Sequence, residues 1–148
     1  FAPERLEASS VGPETHPGAP FSNRYAVDVR IYGTVFRPDP ALNVGIAVYA
    51  DSGELLFWSL TTDEAEERWL SFQKGPMRLR IRLPARLLNE GDYRIELLAS
   101  LHHRVWLCGP RGNAPSAMFS IQGGLSDSPY WDRKRPGLLG PVFGWQNF

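Results

Sequence analysis

The sequence predicts an all-β domain: an antiparallel β-sandwich or barrel of seven or eight short strands. Three observations carry the prediction. Apolar and polar residues alternate with period two through most of the chain. Stretches rich in Gly, Pro, Asp and Asn punctuate the alternation at short intervals. Only one segment, residues 63–72, reads as helix. Strands that are apolar on one face and polar on the other belong to antiparallel sheets with one solvated side.

The elements follow in chain order. Residues 1–20 hold an N-terminal strand and a Pro/Gly-rich connection, "GPETHPGAP" at 12–20. "RYAVDVRIYGTVF" (24–36) alternates cleanly, with Tyr25, Val27, Val29 and Ile31 on one face and Arg24, Asp28, Arg30 and Tyr32 on the other. After the turn "RPDPAL", "NVGIAVYADSGELLFWSLTT" is a hairpin: Val44, Ile46 and Val48 point one way, "ADSG" turns, and Leu55–Leu60 returns. "DEAEERWLSF" (63–72) reads as two helical turns, with Asp63 as N-cap and Glu66 at the third helical position. In "MRLRIRL" (77–83), Met77, Leu79, Ile81 and Leu83 face in, and Arg78, Arg80 and Arg82 face out. "DYRIELLASL" (92–101) turns Tyr93, Ile95, Leu97, Ala99 and Leu101 inward. "HRVWLCG" (103–109) and "AMFSIQG" (117–123) are two shorter strands. Residues 21–127 then form the sandwich and 128–148 a C-terminal extension.

Size and charge narrow the class. A chain of 148 residues fits one domain and buries roughly two-thirds of its unfolded surface without staples. Sixteen Lys and Arg balance sixteen Asp and Glu. A general nucleic-acid binder or a basic membrane-surface module would carry an excess of positive charge, so both classes are disfavoured. The basic residues are arginines except for Lys74 and Lys134, and arginine pairs with carboxylates and stacks on rings better than lysine does. The single Cys108 allows no intramolecular disulfide and no Cys-rich zinc site. No run of 18 apolar residues is present. The start, "FAPERLEASS", has neither an initiator Met nor a basic region before an apolar core, so the chain reads as an excised domain without a signal peptide.

Catalytic chemistry has little support. His102 and His103 are neighbours, which on a strand point to opposite faces, so no shared metal is expected. There is no nucleophile elbow, no phosphate-binding Gly-rich loop ahead of a helix, and no Asp or Glu set in an apolar stretch. No catalytic residue, metal or cofactor is expected. Aromatics are the remaining signal. Tyr25, Phe36, Phe57, Tyr93 and Phe119 run in phase with aliphatic neighbours and read as core. Tyr32, Tyr49 and Trp58 run out of phase and read as surface. Tyr and Trp beside Arg, Asn and Gln on a solvated sheet suit a sugar ring: the aromatic face packs on C–H groups and the polar groups take hydroxyls. Tyr49, Trp58 and Trp106, with Arg104 as hydrogen-bonding neighbour, are the candidate carbohydrate contacts and are expected on one sheet face. Cover by the 63–72 segment, the tail or another subunit is the competing reading. Arg78, Arg80 and Arg82, set against Asp28 and Glu96, read as cross-strand charge pairing, with an acid-binding stripe as the alternative.

Four stretches in order resemble one family. These are the strand–Asp-x-Gly–strand hairpin ending "WSLTT", then "LLNEGDYRIELLAS", then a tryptophan strand followed by "AMFSIQG", and the closing "GLLGPVFGW" (137–145). Together, over residues 20–148, they resemble the C-terminal domain of Wzt-type O-antigen export ATPases. The resemblance implies an immunoglobulin-like, jelly-roll-like β-sandwich of about eight strands that binds a polysaccharide ligand in the cytoplasm, at the inner face of the bacterial inner membrane. It further implies a homodimer, and a transporter ATPase domain and membrane permease as partners in the full-length protein. It offers a role for the apolar tail: Leu138, Leu139, Val142, Phe143 and Trp145 would cross to a partner's sheet, with Pro136 and Pro141 in the hinge; packing of the tail on its own domain is the alternative. The chain has no Walker motif, so this piece cannot hydrolyse ATP. Two other readings stay open: a carbohydrate-binding module of a glycan-modifying enzyme, and a protein-interaction sandwich.

Overall fold

The computed structural model of the chain describes residues 1–13, 16–131 and 133–148. Glu14 and Thr15 of the Pro/Gly-rich connection, and Asp132 of the C-terminal extension, lie outside the described residues. Eight strands form two antiparallel sheets: β1 (Ala2–Ser10), β2 (Val27–Val35), β3 (Leu42–Ala50), β4 (Leu55–Leu60), β5 (Gly75–Leu83), β6 (Gly91–Leu101), β7 (Val105–Cys108) and β8 (Ser116–Ile121). One sheet has the order β1-β2-β5. The other has the order β4-β3-β6-β7, with β8 also pairing β6. β7 joins Ala99–Leu101 and β8 joins Gly91–Glu96, so the two short strands follow one another along a single edge of β6. The fold is an all-β sandwich.

Period-two patterning places the core. Val27, Val29, Ile31 and Val35 of β2 and Leu6 of β1 close one side. Val44, Ile46 and Val48 of β3 and Tyr93, Ile95, Leu97 and Ala99 of β6 close the other. Cys108 is buried in this cluster, and burial pushes its thiol above the ordinary value. Tyr25 and Phe36 do not join the core: they stand just outside the two ends of β2, 38% and 63% exposed. Tyr25 keeps phase with Val27, but the sheet has ended before it reaches it; Phe36 follows the inward Val35 directly and so falls on the outward phase.

Three expectations change in the structure. First, β1 is no appendage. It pairs with β2 from Ala2↔Thr34 to Ser10↔Val27, so the sandwich begins at Ala2 rather than at residue 21. Second, residues 63–72 hold a single 3₁₀ turn, Glu66–Arg68, with no buried residue. Asp63 does not cap it; its carboxylate accepts from the Leu60 N–H at 2.8 Å and closes the turn after β4. A two-turn helix is marginal in water unless its apolar side chains are buried, and Trp69 and Leu70 stay exposed here. Third, Glu96 lies in the other sheet from the β5 arginines; among the described residues it is Asp28 that pairs with Arg80 and Arg82, accepting from Arg82 at 2.7 and 3.1 Å.

The C-terminal extension docks on its own domain as far as Pro141. Leu139 bridges to Leu88, and the Leu138 carbonyl accepts from the Asn89 N–H at 3.3 Å. Asn89, 1% exposed, clamps the chain from its other end: its amide donates to the Arg135 and Gly137 carbonyls, both at 2.6 Å, and its carbonyl accepts from the Arg135 N–H. Beyond Pro141 the apolar side chains stand out: Val142, Phe143 and Trp145 are exposed.

Close approach of β3 and β4 depends on Gly45. A Cβ there would overlap the Ser59 carbonyl oxygen and stand 2.7 Å from Leu60 Cδ2. Backbone on one side leaves no cheap relaxation. Gly45→Ala is therefore expected to destabilise the domain by about 1–3 kcal/mol, measured by urea unfolding, as over-packed sites do.

Candidate functional site

The outer face of the five-stranded sheet is built by alternation and register. Val44, Ile46 and Val48 point to the core, so Asn43, Gly45, Ala47 and Tyr49 point away from it. Trp58 stands opposite Ala47 on one side, and Ser100, opposite Asn43, stands opposite Trp106 on the other. Tyr49, Trp58 and Trp106 thus share one sheet face.

The two tryptophans meet edge to face, with ring centroids 5.8 Å apart and planes at 80°. This is a preferred geometry for aromatic pairs. Trp58 is 40% and Trp106 49% exposed, so each keeps ring surface open to solvent. Beside them lies a concavity of about 340 Å³, lined by both rings together with Leu60, Leu98, Asn43 and Arg104. Arg104 donates to Asp39 Oδ2 at 2.8 Å, and Asp39 Oδ1 accepts from the Ala41 N–H at 2.9 Å. The Ala41 N–H first, and Arg104 as well, hold the Asp39 carboxyl below the usual carboxylate range. Arg104 is thereby tied to the β2–β3 turn while remaining exposed. The site is an apolar wall with a fixed cation at its rim.

Tyr49 takes a different place from the one its phase implies. It points outward but is only 2% exposed, in a small second cluster with Ala47, Leu98 and Leu60. The guanidinium carbons of Arg94 and Arg111 lie 5.0 and 5.9 Å from its ring centroid. Tyr49 is floor, not platform. Its cover comes from the loop between β7 and β8. There the Arg111 N–H donates to Glu96 Oε2 at 2.9 Å and the Arg111 guanidinium donates to the Gly53 carbonyl at 3.2 Å. Glu96, 2% exposed, also pairs with Arg94. Burial, with the Glu96 charge beside it, pushes the Tyr49 phenol above its ordinary value. Periodicity gives a side chain's direction; it does not reveal a loop that folds back over it.

His102 and His103 are not on a strand. They occupy the β6–β7 turn, His103 at φ 58°, with ring centroids 3.9 Å apart at the end of the concavity. Among the described residues no group of three or more His, Cys, Asp or Glu is placed to hold a metal. The two buried carboxylates, Asp28 and Glu96, lie on the outer faces of different sheets, with the whole core between them, so they do not face one another across a cleft. Asn43, Leu98 and Ser100 line the site without having been singled out. Their signal was available: each stands in phase with an outward neighbour on β3 or β6.

No family model matches this sequence, and no curated protein matches it. Among solved structures the chain is similar to the crystal structure of the C-terminal domain of wzt, with a TM-score of 0.63 at 12% identity, over 97% of this chain and 81% of that one. At that identity the likeness is one of fold, and it is the fold that the four sequence stretches resemble.

Removing the buried Glu96 carboxylate would leave the Arg111 N–H and Arg94 without their acceptor. Glu96→Ala is expected to cost about 1–3 kcal/mol, the range for an orphaned buried donor. Amide exchange in residues 109–115 should speed up while the β3–β6 ladder stays protected; uniform loss of protection would contradict this account.

Proposed function

We propose that this domain recognises a polysaccharide without catalysis, gripping sugar rings on the Trp58–Trp106 face with Arg104 and Asn43 as polar neighbours. One observation carries the reading: two partly open indoles and a fixed guanidinium converge on one concavity. An indole face matches the C–H surface of a sugar ring, and guanidinium and amide groups match its hydroxyls. Likeness of fold to the C-terminal domain of wzt supports an O-antigen-like cell-surface glycan as the ligand and an ABC transporter as the setting. In that setting the domain works on the cytoplasmic side of the bacterial inner membrane, joined to an ATPase domain and facing a permease. Tyr49 belongs to the support of this face rather than to its contacts.

The dimer is part of the same proposal. Since the backbone at Leu138 and Leu139 is bound to the domain's own loop, the exchanged part of the tail is Val142, Phe143 and Trp145, which are 45%, 73% and 95% exposed in the single chain. An apolar segment crossing between two copies is a low-cost route to a symmetric dimer.

Two measurements test these points separately. Titration with the cell-surface polysaccharide of the source bacterium, followed by tryptophan fluorescence, should show saturable binding that an unrelated polysaccharide does not give. Trp58→Ala should weaken it about tenfold or more while the fold is retained. Binding that is unchanged in this variant would move the site elsewhere. Truncation after Pro141 should convert a dimer to a monomer in sedimentation; an unchanged sedimentation coefficient would remove the tail from the interface.

A further inference from the structure

The outer face of the three-stranded sheet carries charge that the tryptophan face does not use. Five arginines point outward there: Arg5 from β1, Arg30 from β2, and Arg78, Arg80 and Arg82 from β5. Three acids share the face, and each is already engaged. Asp28 accepts two bonds from Arg82 and lies 3.9 Å from Arg80. Glu7 pairs with Arg5 at 3.0 Å, and Glu4 accepts from the Thr34 hydroxyl at 2.7 Å. Among the described residues, Arg30 and Arg78 have no ion-pair partner within 4.0 Å. Register also sets Arg30 between Glu7, which Arg5 already engages, and Arg80 directly opposite on β5. Like charges directly opposed across two strands are destabilising, so the demands of the sheet do not account for this pair. An anion seated between them would relieve the repulsion.

The row leads into a groove. Arg5 and Arg78 stand on either side of Tyr32 and Gly33, around a space of about 370 Å³. The Arg5 guanidinium carbon lies 4.0 Å from the Tyr32 ring centroid, a stacking that fixes its plane. On β5 the arginines recur at every second residue, about 6.7 Å apart along the strand. β5 is the edge of its sheet, so the row is open along its side.

We propose that this face binds a carboxylate-bearing polysaccharide, with Arg30 and Arg78 as the main carboxylate contacts and Arg5 and Arg80 beside them. A planar guanidinium matches a carboxylate with two parallel hydrogen bonds, and a straight row of such groups matches acids that recur along an extended chain. The other large anionic surfaces fit less well. A membrane would call for large exposed apolar groups to enter it, whereas the remaining outward residues are Ala2, Ser9, Tyr32, Thr34 and Pro76, with no Leu, Ile, Phe or Trp among them. Single-stranded nucleic acid would call for open aromatic rings, whereas Tyr32 already carries Arg5. The inference does not rest on the Trp58–Trp106 reading.

The test is calorimetric titration of the domain with polygalacturonate at low salt, with neutral dextran beside it. Saturable binding to polygalacturonate alone is expected, and it should weaken as salt rises. The double variant Arg30→Gln/Arg78→Gln, which leaves the Asp28–Arg82 pair intact, should bind at least about tenfold more weakly. Arg30→Lys/Arg78→Lys, which keeps the charge but loses the fork, should also bind more weakly than the parent chain. Trp58→Ala should bind polygalacturonate as the parent does, which separates this site from the other face. Absence of saturable binding, or equal affinity in both double variants and the parent, would overturn the proposal. So would tight binding of phosphatidylglycerol vesicles or oligoribonucleotide without binding of polygalacturonate. A double variant that changes sedimentation but not affinity would assign the face to a second copy of the chain, and would overturn it equally.

Discussion

Everything in this molecule is arranged around one antiparallel ladder, β3 against β6, paired from Leu42↔Leu101 to Ala50↔Tyr93. Eight consecutive residues of β3 are buried, and so is the middle of β6, on both faces. An outer sheet layer in a two-layer sandwich normally leaves one face to water. Here the outward positions of the ladder are apolar or half-apolar, Ala47, Tyr49 and Leu98, with Glu96 between them, and they must be covered. Among the described residues no helix lies over them. The cover is improvised from what the neighbours supply: an indole from each flanking strand, and the β7–β8 loop. The candidate site is a consequence of that requirement. Side chains large enough to close the outer face of the ladder also present ring surface to solvent.

Burial of Glu96 shows how firmly the cover is fixed. A carboxylate in an apolar layer is tolerated only where charge and hydrogen bonds meet it. Arg94 supplies the charge and the Arg111 N–H supplies the bond, so the loop that hides Tyr49 is held by the acid lying next to it. Asp28 plays a comparable part on the opposite face, where Arg82 first and Arg80 with it hold its carboxyl below the usual range. Formal neutrality of the chain therefore conceals two unlike surfaces. One is aromatic, with a single fixed cation at its rim; the other is a row of arginines that outnumber their acids.

Legibility in the sequence follows the same lines. β2, β5 and β6 announce themselves because one face of each meets the core and the other meets charge, so Val29, Ile81 and Ile95 stand out from Arg30, Arg80 and Arg94. β1 is hard to read: in "APERLEASS" Leu6 is the one large aliphatic side chain, and the strand is secured by pairing with β2 rather than by its own pattern. In 63–72 the acidic and apolar residues mimic a capped helix, but no surface is there to receive its stripe. Tyr25 keeps the right phase at a position where the sheet has stopped, and Phe36 falls on the outward phase after Val35. For Tyr49, outward direction was legible and burial was not, because its cover lies some 60 residues further along the chain, at Arg111. The pairing of Trp58 with Trp106 has no local signature either; it needs the register of four strands at once.

That register is interrupted at two points, and both bear on the site. One shift falls between Val48 and Tyr49 against β4, the other between Ala99 and Ser100 against β7. A bulge sets two residues against one, bends its strand and re-aims the side chains next to it. The first separates the level of Tyr49 from that of Ala47 and Trp58. The second falls just before the Ser100–Trp106 pair. A regular ladder would hold the residues of β4 and β7 apart across the two strands between them, at about 4.8 Å per strand. Edge-to-face contact at 5.8 Å between rings on β4 and β7 requires both indoles to lean inward over β3 and β6. The small outward residue opposite Trp58, Ala47, leaves room for that lean. The concavity thus follows from two irregularities of register and a small residue beside Trp58, and the tryptophans occupy the space these provide.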